Sequence, residues 1–216
     1  MDVGHLPLFA SNVFYLQADH IDAEPIKKID HGFVKAAQYT GEDVGIIDTS
    51  KPNYRVLDSI PETKKALLEI FKRINYDLLK YDNDWAISTS WITVTEKGCD
   101  GQLHSHRNCF YSGIFYFDHY EEEGVSPLQI LTPLQYHGGY QFKRVDEAFG
   151  PPVTVADQWE IPPQHKKLIL FPSYLTHKIG KQKAAKPRYS LAFNIVPIPP
   201  YGVADSQALD LSNVNS

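Results

Sequence analysis

The chain has 216 residues, of which 43% are hydrophobic and 22% charged, and its formal net charge is -5. This composition is typical of a globular protein with a substantial core, and the negative charge gives no general attraction to nucleic acid or to an anionic membrane. No hydrophobic run approaches the roughly 20 residues that a membrane-spanning helix requires, and the first residues lack the basic and apolar regions of a secretion signal.

The N-terminal third of the sequence predicts one strand and two helices. Residues 12–16 are a strand candidate, and residues 25–37 predict a short helix. The clearest helix begins at Ser59-Ile-Pro-Glu62, where serine and glutamate have the spacing of a capping box and proline occupies the first turn. It is predicted to end near Lys80, and its apolar residues recur at spacings of three and four: Leu67, Ile70, Phe71, Ile74, Leu78 and Leu79.

Strand patterns dominate the sequence from Trp85 onward. In WAISTSWITVT, alternate residues are predicted to share one face of a long strand: Trp85, Ile87, Thr89, Trp91, Thr93 and Thr95. Further strands are predicted at 110–117, 128–131, 140–145, 153–155, 167–171 and 188–196, separated by glycine and proline turns. Short strands at this spacing after a helical region predict a mainly β (α+β) fold, either a barrel or a jelly roll with supporting N-terminal helices.

No internal repeat and no flexible linker divides the chain, so we expect one domain over residues 1–216. Its expected parts are helical and strand support in 1–84, a jelly-roll core in 85–200 and a polar tail in 201–216. Only two cysteines occur, Cys99 and Cys109, and they form no disulfide framework. This usage favours a reducing compartment, the cytoplasm.

Three of the nine histidines have the arrangement of a metal site. His104 and His106 are one residue apart, and in an extended chain residues i and i+2 project to the same side. Both imidazoles could therefore bind one ion, although two solvated loop histidines would have the same pattern. His177, which follows an apolar strand and a Pro-Ser turn, is the third candidate. The remaining histidines are interpreted as solvated or structural: His5, His20, His31, His119, His137 and His165.

Arg188 opens the last apolar strand, where a guanidinium is costly unless it meets an anion. The anion is either an internal Asp or Glu or the carboxylate of a ligand, which arginine binds with a planar fork. Ser190 is predicted to face the same side and to add a hydroxyl donor. If the strands that flank residues 180–187 pair antiparallel, His177 and Arg188 lie on neighbouring strands near that loop.

Five segments occur in a fixed order between residues 85 and 196, roughly half the chain. They are His104-Ser-His106, Ser112-Gly-Ile-Phe-Tyr116, Leu168-Ile-Leu-Phe-Pro-Ser173 followed by His177, Arg188-Tyr-Ser190, and Phe193-Asn194. Together they resemble the iron(II)- and 2-oxoglutarate-dependent oxygenase superfamily, and within it the prolyl-hydroxylase-related branch of bacteria and phages.

The resemblance implies a double-stranded β-helix (jelly-roll, cupin-like) core that binds Fe(II), 2-oxoglutarate and dioxygen, with ascorbate as an optional reductant. It implies iron ligands at His104, His106 and His177, and contacts with 2-oxoglutarate from Arg188, Ser190 and Tyr116. The implied reaction is hydroxylation of an aliphatic C–H bond, with release of succinate and CO2. The substrate would be a peptidyl proline or a small metabolite, and the protein would act in a bacterial or phage-infected cell. No nucleic acid or membrane partner is expected, and the protein could be a monomer or a homodimer.

The sequence departs from the family pattern at the second ligand. His106 stands where the wider superfamily has Asp or Glu, and Arg107 and Cys109 replace a proline and a serine common in nearer relatives. A three-histidine site is chemically workable, because the dianionic co-substrate offsets the higher charge. It also argues against a halogenase, which has a small residue at this position. If the register is shifted by two residues, Asn108 is the alternative ligand.

Two other functions stay open at this stage: a non-catalytic metal-binding jelly-roll module, and a three-histidine dioxygenase of the cupin type that does not use 2-oxoglutarate. The Arg188–Ser190 pair weighs against the first, since a structural metal site needs no carboxylate clamp. Candidates for the pocket wall are Trp91, Trp159 and Tyr174, and candidate lids are 40–54 and 135–150.

Overall fold

The computed structural model describes residues 10–29, 34–35, 54–133, 156–199 and 202. Its strands in chain order are β1 (Phe14–Gln17), β2 (Val34–Lys35), β3 (Trp85–Thr95), β4 (Tyr111–Phe115), β5 (Leu128–Leu131), β6 (Gln158–Ile161), β7 (Lys167–Pro172), β8 (His177–Ile179) and β9 (Arg188–Pro197). Its α-helices are α1 (Glu24–Lys27) and α2 (Pro61–Ile74), with a 3-10 turn at Val56–Ser59 and a π-helical turn at Asn75–Leu79. No helix in the described ranges is long and apolar enough to cross a bilayer.

The strands form two sheets that pack face to face. The larger sheet has the order β1-β7-β4-β9-β3-β2, antiparallel except for the edge pair β2–β3, and the smaller has the order β6-β5-β8. Ile114, Leu128, Ile169 and Phe171 belong to the buried cluster between them. The mainly β jelly-roll class predicted from the sequence is confirmed.

A second apolar cluster lies on the other face of the large sheet, where α2 packs. Leu67 and Phe71 of α2 are fully buried against strand residues that include Leu191 and Phe193. Because the central strands are covered on both faces, β4 and β7 are buried at every position. The helical layer therefore supports the face of the sheet opposite to the small sheet.

Gly113 allows β4 and β9 to pack closely on the helix-facing side. The ring of Phe193, its cross-strand partner, lies directly over Gly113, and a Cβ atom built there would overlap that ring. The glycine in the Ser-Gly-aliphatic segment is thus required by packing.

Two local helix predictions are wrong. The predicted helix over 25–37 ends at Lys27, and Val34–Lys35 pairs parallel with β3 instead, because edge pairing in a sheet overrides a weak helical pattern. The capping box is not formed either. The Ser59 hydroxyl donates to the Val56 carbonyl at 2.7 Å, and Ile60 is the N-cap residue of α2, without a side-chain cap.

The prediction that alternate residues of β3 share one face is also wrong, because the strand contains a β-bulge. The register shifts between Ile87, which pairs with Ile195, and Thr89, which pairs with Asn194. Before the bulge Trp85 and Ile87 face the helical layer, and after it Ile92 takes that side. The bulge reverses the faces of the residues that follow it, so that Trp91 and Thr93 face the small sheet and line the cavity.

The antiparallel pairing considered for the strands that flank residues 180–187 does not occur. β4 lies between β7 and β9, and the segment that contains His177 becomes β8 of the small sheet. β6 is a strand that the sequence did not predict, and it is exposed at three of its four positions. The predicted strands at 140–145 and 153–155, the lid at 135–150 and all of the lid at 40–54 except Tyr54 lie outside the described residues. The single domain over 1–216 stays a prediction.

Replacing Gly113 by alanine is expected to destabilise the fold by about 1–3 kcal/mol, the usual cost of overpacking a well-packed core. Urea unfolding of the two proteins measures this difference. The double variant Gly113→Ala with Phe193→Leu is the control, because the shorter side chain makes room for the new methyl group. Its destabilisation should be smaller than the sum of the two single effects, and strict additivity would contradict this account of the glycine.

Candidate metal centre

Three histidines converge between the two sheets. The backbone N–H of His104 donates to the His177 carbonyl at 3.0 Å, and that of His177 donates to the His104 carbonyl at 2.9 Å. The backbone N–H of His106 donates to the Ser173 carbonyl, just before β8. In the described part of the chain, each of these histidines has a ring nitrogen within 4.8 Å of a ring nitrogen of the other two.

The rings are oriented as a metal site requires. The Nδ1 atoms of His104 and His177 donate to the carbonyl oxygens of Gln102 and Leu175, at 2.7 and 2.9 Å. Since a carbonyl only accepts, both rings carry their proton on Nδ1 and present the lone pair of Nε2. The Nε2 atoms of His104 and His106 are 3.0 Å apart. Two nitrogens bound at right angles to one ion, each about 2.1 Å from it, would have this separation.

The third ring is held by side chains. His106 Nδ1 lies 2.9 Å from Asn194 Oδ1 and 2.8 Å from Ser112 Oγ. The amide nitrogen of Asn194 in turn donates to Thr89 Oγ1 at 3.0 Å. These partners come from three adjacent strands, β4, β9 and β3, whose register places Ser112 and Thr89 on either side of Asn194.

Burial keeps two of the rings neutral. Desolvation lowers the pKa of His177, which is 5% exposed, from the usual 6.5 to about 3, against the smaller opposing effect of its bond to Leu175. Desolvation also lowers the pKa of His106, partly offset by Asn194. Both rings are therefore uncharged at neutral pH, so that a cation can bind without displacing a proton.

A cavity of about 260 Å³ opens beside the three rings. Its wall includes Trp91, Thr93, Ile114, Phe171 and Ser190, and no Asp or Glu of the described ranges lines it. The volume is below the roughly 300–1,000 Å³ of pockets that enclose drug-sized ligands. It therefore suits an ion with a small anion rather than a large substrate.

Arg188 is a buried cation that meets no carboxylate within the described part of the chain. It is 1% exposed, its Nη2 donates to the Tyr116 hydroxyl at 2.8 Å, and its Nη1 donates to Ser190 Oγ at 3.2 Å. Its Cζ also lies 5.0 Å from the centre of the Tyr116 ring. Among the described residues, no carboxylate lies within the 4.0 Å of an ion pair. The internal Asp or Glu that the sequence left open is therefore not found in these ranges.

Two unsatisfied polar atoms near Ser190, a residue of the cavity wall, support an anion site there. Arg188 Nε is buried and has no hydrogen-bond partner in the described structure. Thr95, which pairs with Arg188 across β3 and β9, has its Oγ1 buried without a partner as well. Buried donors of this kind are costly unless a ligand or water satisfies them, so both groups fit the binding of a carboxylate.

Of the three residues predicted to line the pocket, one does so in the structure. Trp91 lines the cavity, with its ring centre 5.9 Å from that of His106. Trp159 and Tyr174 are 46% and 57% exposed and do not line it, so that prediction is wrong for both. Asn108 is exposed and lies outside the histidine cluster. Cys109 Sγ lies 3.8 Å from Ser112 Oγ, next to the support of His106.

The roles of Ser112, Asn194 and Thr95 were not predicted from the sequence. A signal was present in β9, where the polar positions 188, 190 and 194 are separated by two and four residues and so share one face of an otherwise apolar strand. Extending the reasoning applied to Arg188 and Ser190 by two more steps would have identified Asn194.

The metal-free protein is expected to lose stability on acidification below about pH 6.5. The unfolded chain protonates His177 near 6.5 and the folded chain only near 3, so between these values the unfolded state binds the extra proton. The slope approaches about 1.4 kcal/mol per pH unit. Urea unfolding at several pH values in the presence of a chelator measures it, and His177→Gln should flatten the profile. Parallel profiles for the two proteins would contradict the assignment.

Comparison with known proteins gives a family match and several similar structures. Residues 89–194 match the family described as "Putative 2OG-Fe(II) oxygenase". Similar solved structures are a Pseudomonas putida prolyl-4-hydroxylase (14% identity, TM-score 0.43, covering 64% of this chain and 65% of that one), an oxidoreductase of the 2OG-Fe(II) oxygenase family from Burkholderia pseudomallei (14%, 0.43, 63% and 59%), and AviO1 from Streptomyces viridochromogenes (11%, 0.43, 65% and 61%).

The chain thus spans less than two thirds of the length of each of these structures. No curated protein matches the sequence. The family match begins at Thr89, ends at Asn194 and contains the three histidines together with Arg188 and Ser190. Over these residues, just under half of the chain, the sequence is similar to the 2OG-Fe(II) oxygenase family, the superfamily that its motifs resemble.

Proposed function

We propose that the protein is an Fe(II)- and 2-oxoglutarate-dependent dioxygenase that hydroxylates an aliphatic C–H bond of a peptidyl proline or a small metabolite and releases succinate and CO2. The observation that carries the proposal is the buried Arg188, which has no carboxylate partner among the described residues and donates to Ser190 in the wall of the cavity beside the three imidazoles. The family match over residues 89–194 supports the same reaction class.

His104, His106 and His177 would hold the iron through their Nε2 atoms, since each Nδ1 is engaged by the protein. When bound, Fe(II) and 2-oxoglutarate supply the activation of dioxygen and the oxidative decarboxylation of the co-substrate, with ascorbate as an auxiliary reductant. Imidazole nitrogens suit this borderline metal, and three of them on one side leave positions open for other ligands. The protein contributes the orientation of those three donors.

Arg188 would bind the distal carboxylate of 2-oxoglutarate. The guanidinium is fixed by Tyr116 and Ser190, and its unpaired Nε, with the hydroxyl of Thr95 opposite, can donate to the two carboxylate oxygens. Three neutral ligands leave the ion at +2 and Arg188 adds +1, so the dianionic co-substrate leaves the pair of sites at +1. The strong positive potential favours binding of a dicarboxylate over a neutral ketone.

The walls of the cavity would keep the reacting groups away from water. Ile114 and Phe171, two buried apolar residues, form part of this wall. Because the volume of about 260 Å³ is largely used by the ion and the co-substrate, the substrate would enter at the mouth beside Trp91. A dry site strengthens each charge interaction in it.

The three-histidine donor set favours one further candidate, a cupin-type dioxygenase that does not use 2-oxoglutarate. The two enzymes differ in their need for a dicarboxylate. A cupin-type dioxygenase has no dicarboxylate co-substrate that would pair with the buried Arg188, which meets no carboxylate among the described residues. Succinate formation from 2-oxoglutarate separates the two functions.

Anaerobic addition of Fe(II) and then 2-oxoglutarate is expected to give a visible charge-transfer absorption, because the keto acid would chelate an iron held by the three imidazoles. Absorption spectroscopy in a sealed cell measures it. His177→Ala should abolish the band, and 2-oxoglutarate added without metal serves as the blank. A protein that binds Fe(II) but gives no band with 2-oxoglutarate would exclude this function in favour of the cupin-type alternative.

Arg188→Met is expected to raise the dissociation constant of 2-oxoglutarate at least 30-fold, since truncating one partner of a buried charge pair costs about 2–5 kcal/mol. Affinity for Co(II), measured by its visible spectrum, should stay within about threefold, because Arg188 contacts none of the three histidines. The matched control is Arg107→Met, a change at an exposed arginine one residue from His106. Loss of metal with retained 2-oxoglutarate affinity would contradict the assignment.

A further inference from the structure

His106 differs from the other two histidines in how its proton is placed. His104 and His177 donate from Nδ1 to backbone carbonyls, which cannot donate in return, so their tautomers are fixed by the main chain. The Nδ1 of His106 faces two side chains instead, Ser112 and Asn194. Both a hydroxyl and an amide can donate or accept. The tautomer of His106 therefore depends on which amide atom of Asn194 faces the ring.

A competing interaction favours the wrong tautomer in the absence of metal. The Nε2 atoms of His104 and His106 are only 3.0 Å apart. Because His104 carries its proton on Nδ1, its Nε2 has a lone pair directed at the neighbouring ring. A proton on His106 Nε2 would form a hydrogen bond with that lone pair, and it would occupy the nitrogen that the ion needs.

The environment of Asn194 opposes this alternative. Its Nδ2 donates to Thr89 Oγ1 at 3.0 Å, which directs Oδ1 toward His106 and Ser112. The Ser112 hydroxyl donates to the same oxygen at 3.1 Å. Asn194 is 5% exposed, so water does not compete for this oxygen. An acceptor in this position draws the proton of His106 to Nδ1 and leaves Nε2 unprotonated.

We propose that Asn194 is a positioning residue that selects the Nδ1–H tautomer of His106 and so presents His106 Nε2 to the metal. The benefit of this tautomer for metal binding rests on the proposed function, whereas the tautomer itself can be measured in the metal-free protein. Thr89 acts through Asn194, since its hydroxyl holds the amide in the orientation that leaves Oδ1 toward the ring. Ser112 supports the same oxygen and does not replace it.

The test uses two nearly isosteric variants, Asn194→Leu, which has no acceptor, and Asn194→Asp, which only accepts. Long-range ¹H–¹⁵N correlation spectra of the metal-free chain at mildly alkaline pH report the tautomer of His106. We expect Nδ1–H in the parent protein and in Asn194→Asp, and Nε2–H in Asn194→Leu. Co(II) affinity should fall about 10–100-fold in Asn194→Leu and stay within about threefold of the parent in Asn194→Asp.

Ser112→Ala separates the two partners of His106 and covers the case in which a change at Asn194 prevents folding. This variant keeps the amide oxygen, so the Nδ1–H tautomer and the Co(II) affinity should be retained. An Nε2–H tautomer in the parent protein, or in Ser112→Ala, would overturn the proposal. So would an Asn194→Leu variant with the parent's tautomer, or an Asn194→Asp variant as impaired as Asn194→Leu.

The outcome also distinguishes this proposal from the proposed function. If the parent protein binds no metal and Asn194→Leu still changes the tautomer of His106, the oxygenase proposal fails and the role of Asn194 stands. If metal and 2-oxoglutarate bind as expected but the tautomer of His106 is unchanged in Asn194→Leu, the oxygenase proposal stands and the role of Asn194 fails. Thermal unfolding of each metal-free variant shows that a loss of affinity does not come from loss of the fold.

Discussion

The antiparallel register of β4 against β9 determines the rest of the site. Side chains alternate between the faces of a strand, so this register places Ser112 beside Asn194 and Ile114 beside Ala192 on the face that looks toward the small sheet. A slip by one residue would turn every one of these groups away from the cavity. On the opposite face, the ring of Phe193 fits only because position 113 is a glycine. A packing constraint in the helical layer thus keeps the chemical groups in place on the other side of the same sheet.

The sequence predicts the parts of the site that depend on alternation along one strand. The His104–His106 pair and the Arg188–Ser190 pair each share a side because their members are two residues apart, and the structure places each pair as expected. The position of His177 could not be predicted in the same way, since it depends on which strands become neighbours. Antiparallel pairing of the strands around residues 180–187 would have been the simplest local connection. Instead β4 pairs with both β7 and β9 and so lies between them.

Other features of the site depend on the tertiary structure and cannot be predicted from local sequence patterns. The bulge after Ile87 changes the face of the outer half of β3, which the regular alternation of the sequence conceals. Arg188 donates to Tyr116 and Ser190 and meets no carboxylate among the described residues. That absence depends on which segments surround the guanidinium, so only the fold reveals it. The role of Asn194 lies between these cases. Its spacing from Ser190 places it on the cavity face, but its partner lies on a different segment of the chain.

The backbone bonds between His104 and His177 have a consequence for the edge of the small sheet. β8 pairs with β5 on one side, and on the other the loop before β4 covers it through His104 and through Gly101, whose N–H donates to the Ile179 carbonyl at 2.9 Å. An added Cβ at Gly101 would lie 2.8 Å from the Ile179 nitrogen, so only glycine allows this approach. An uncovered strand edge is a template for pairing with another chain. An ion bound by both His104 and His177 would hold the covering loop against β8 and so keep this strand edge from pairing with another chain.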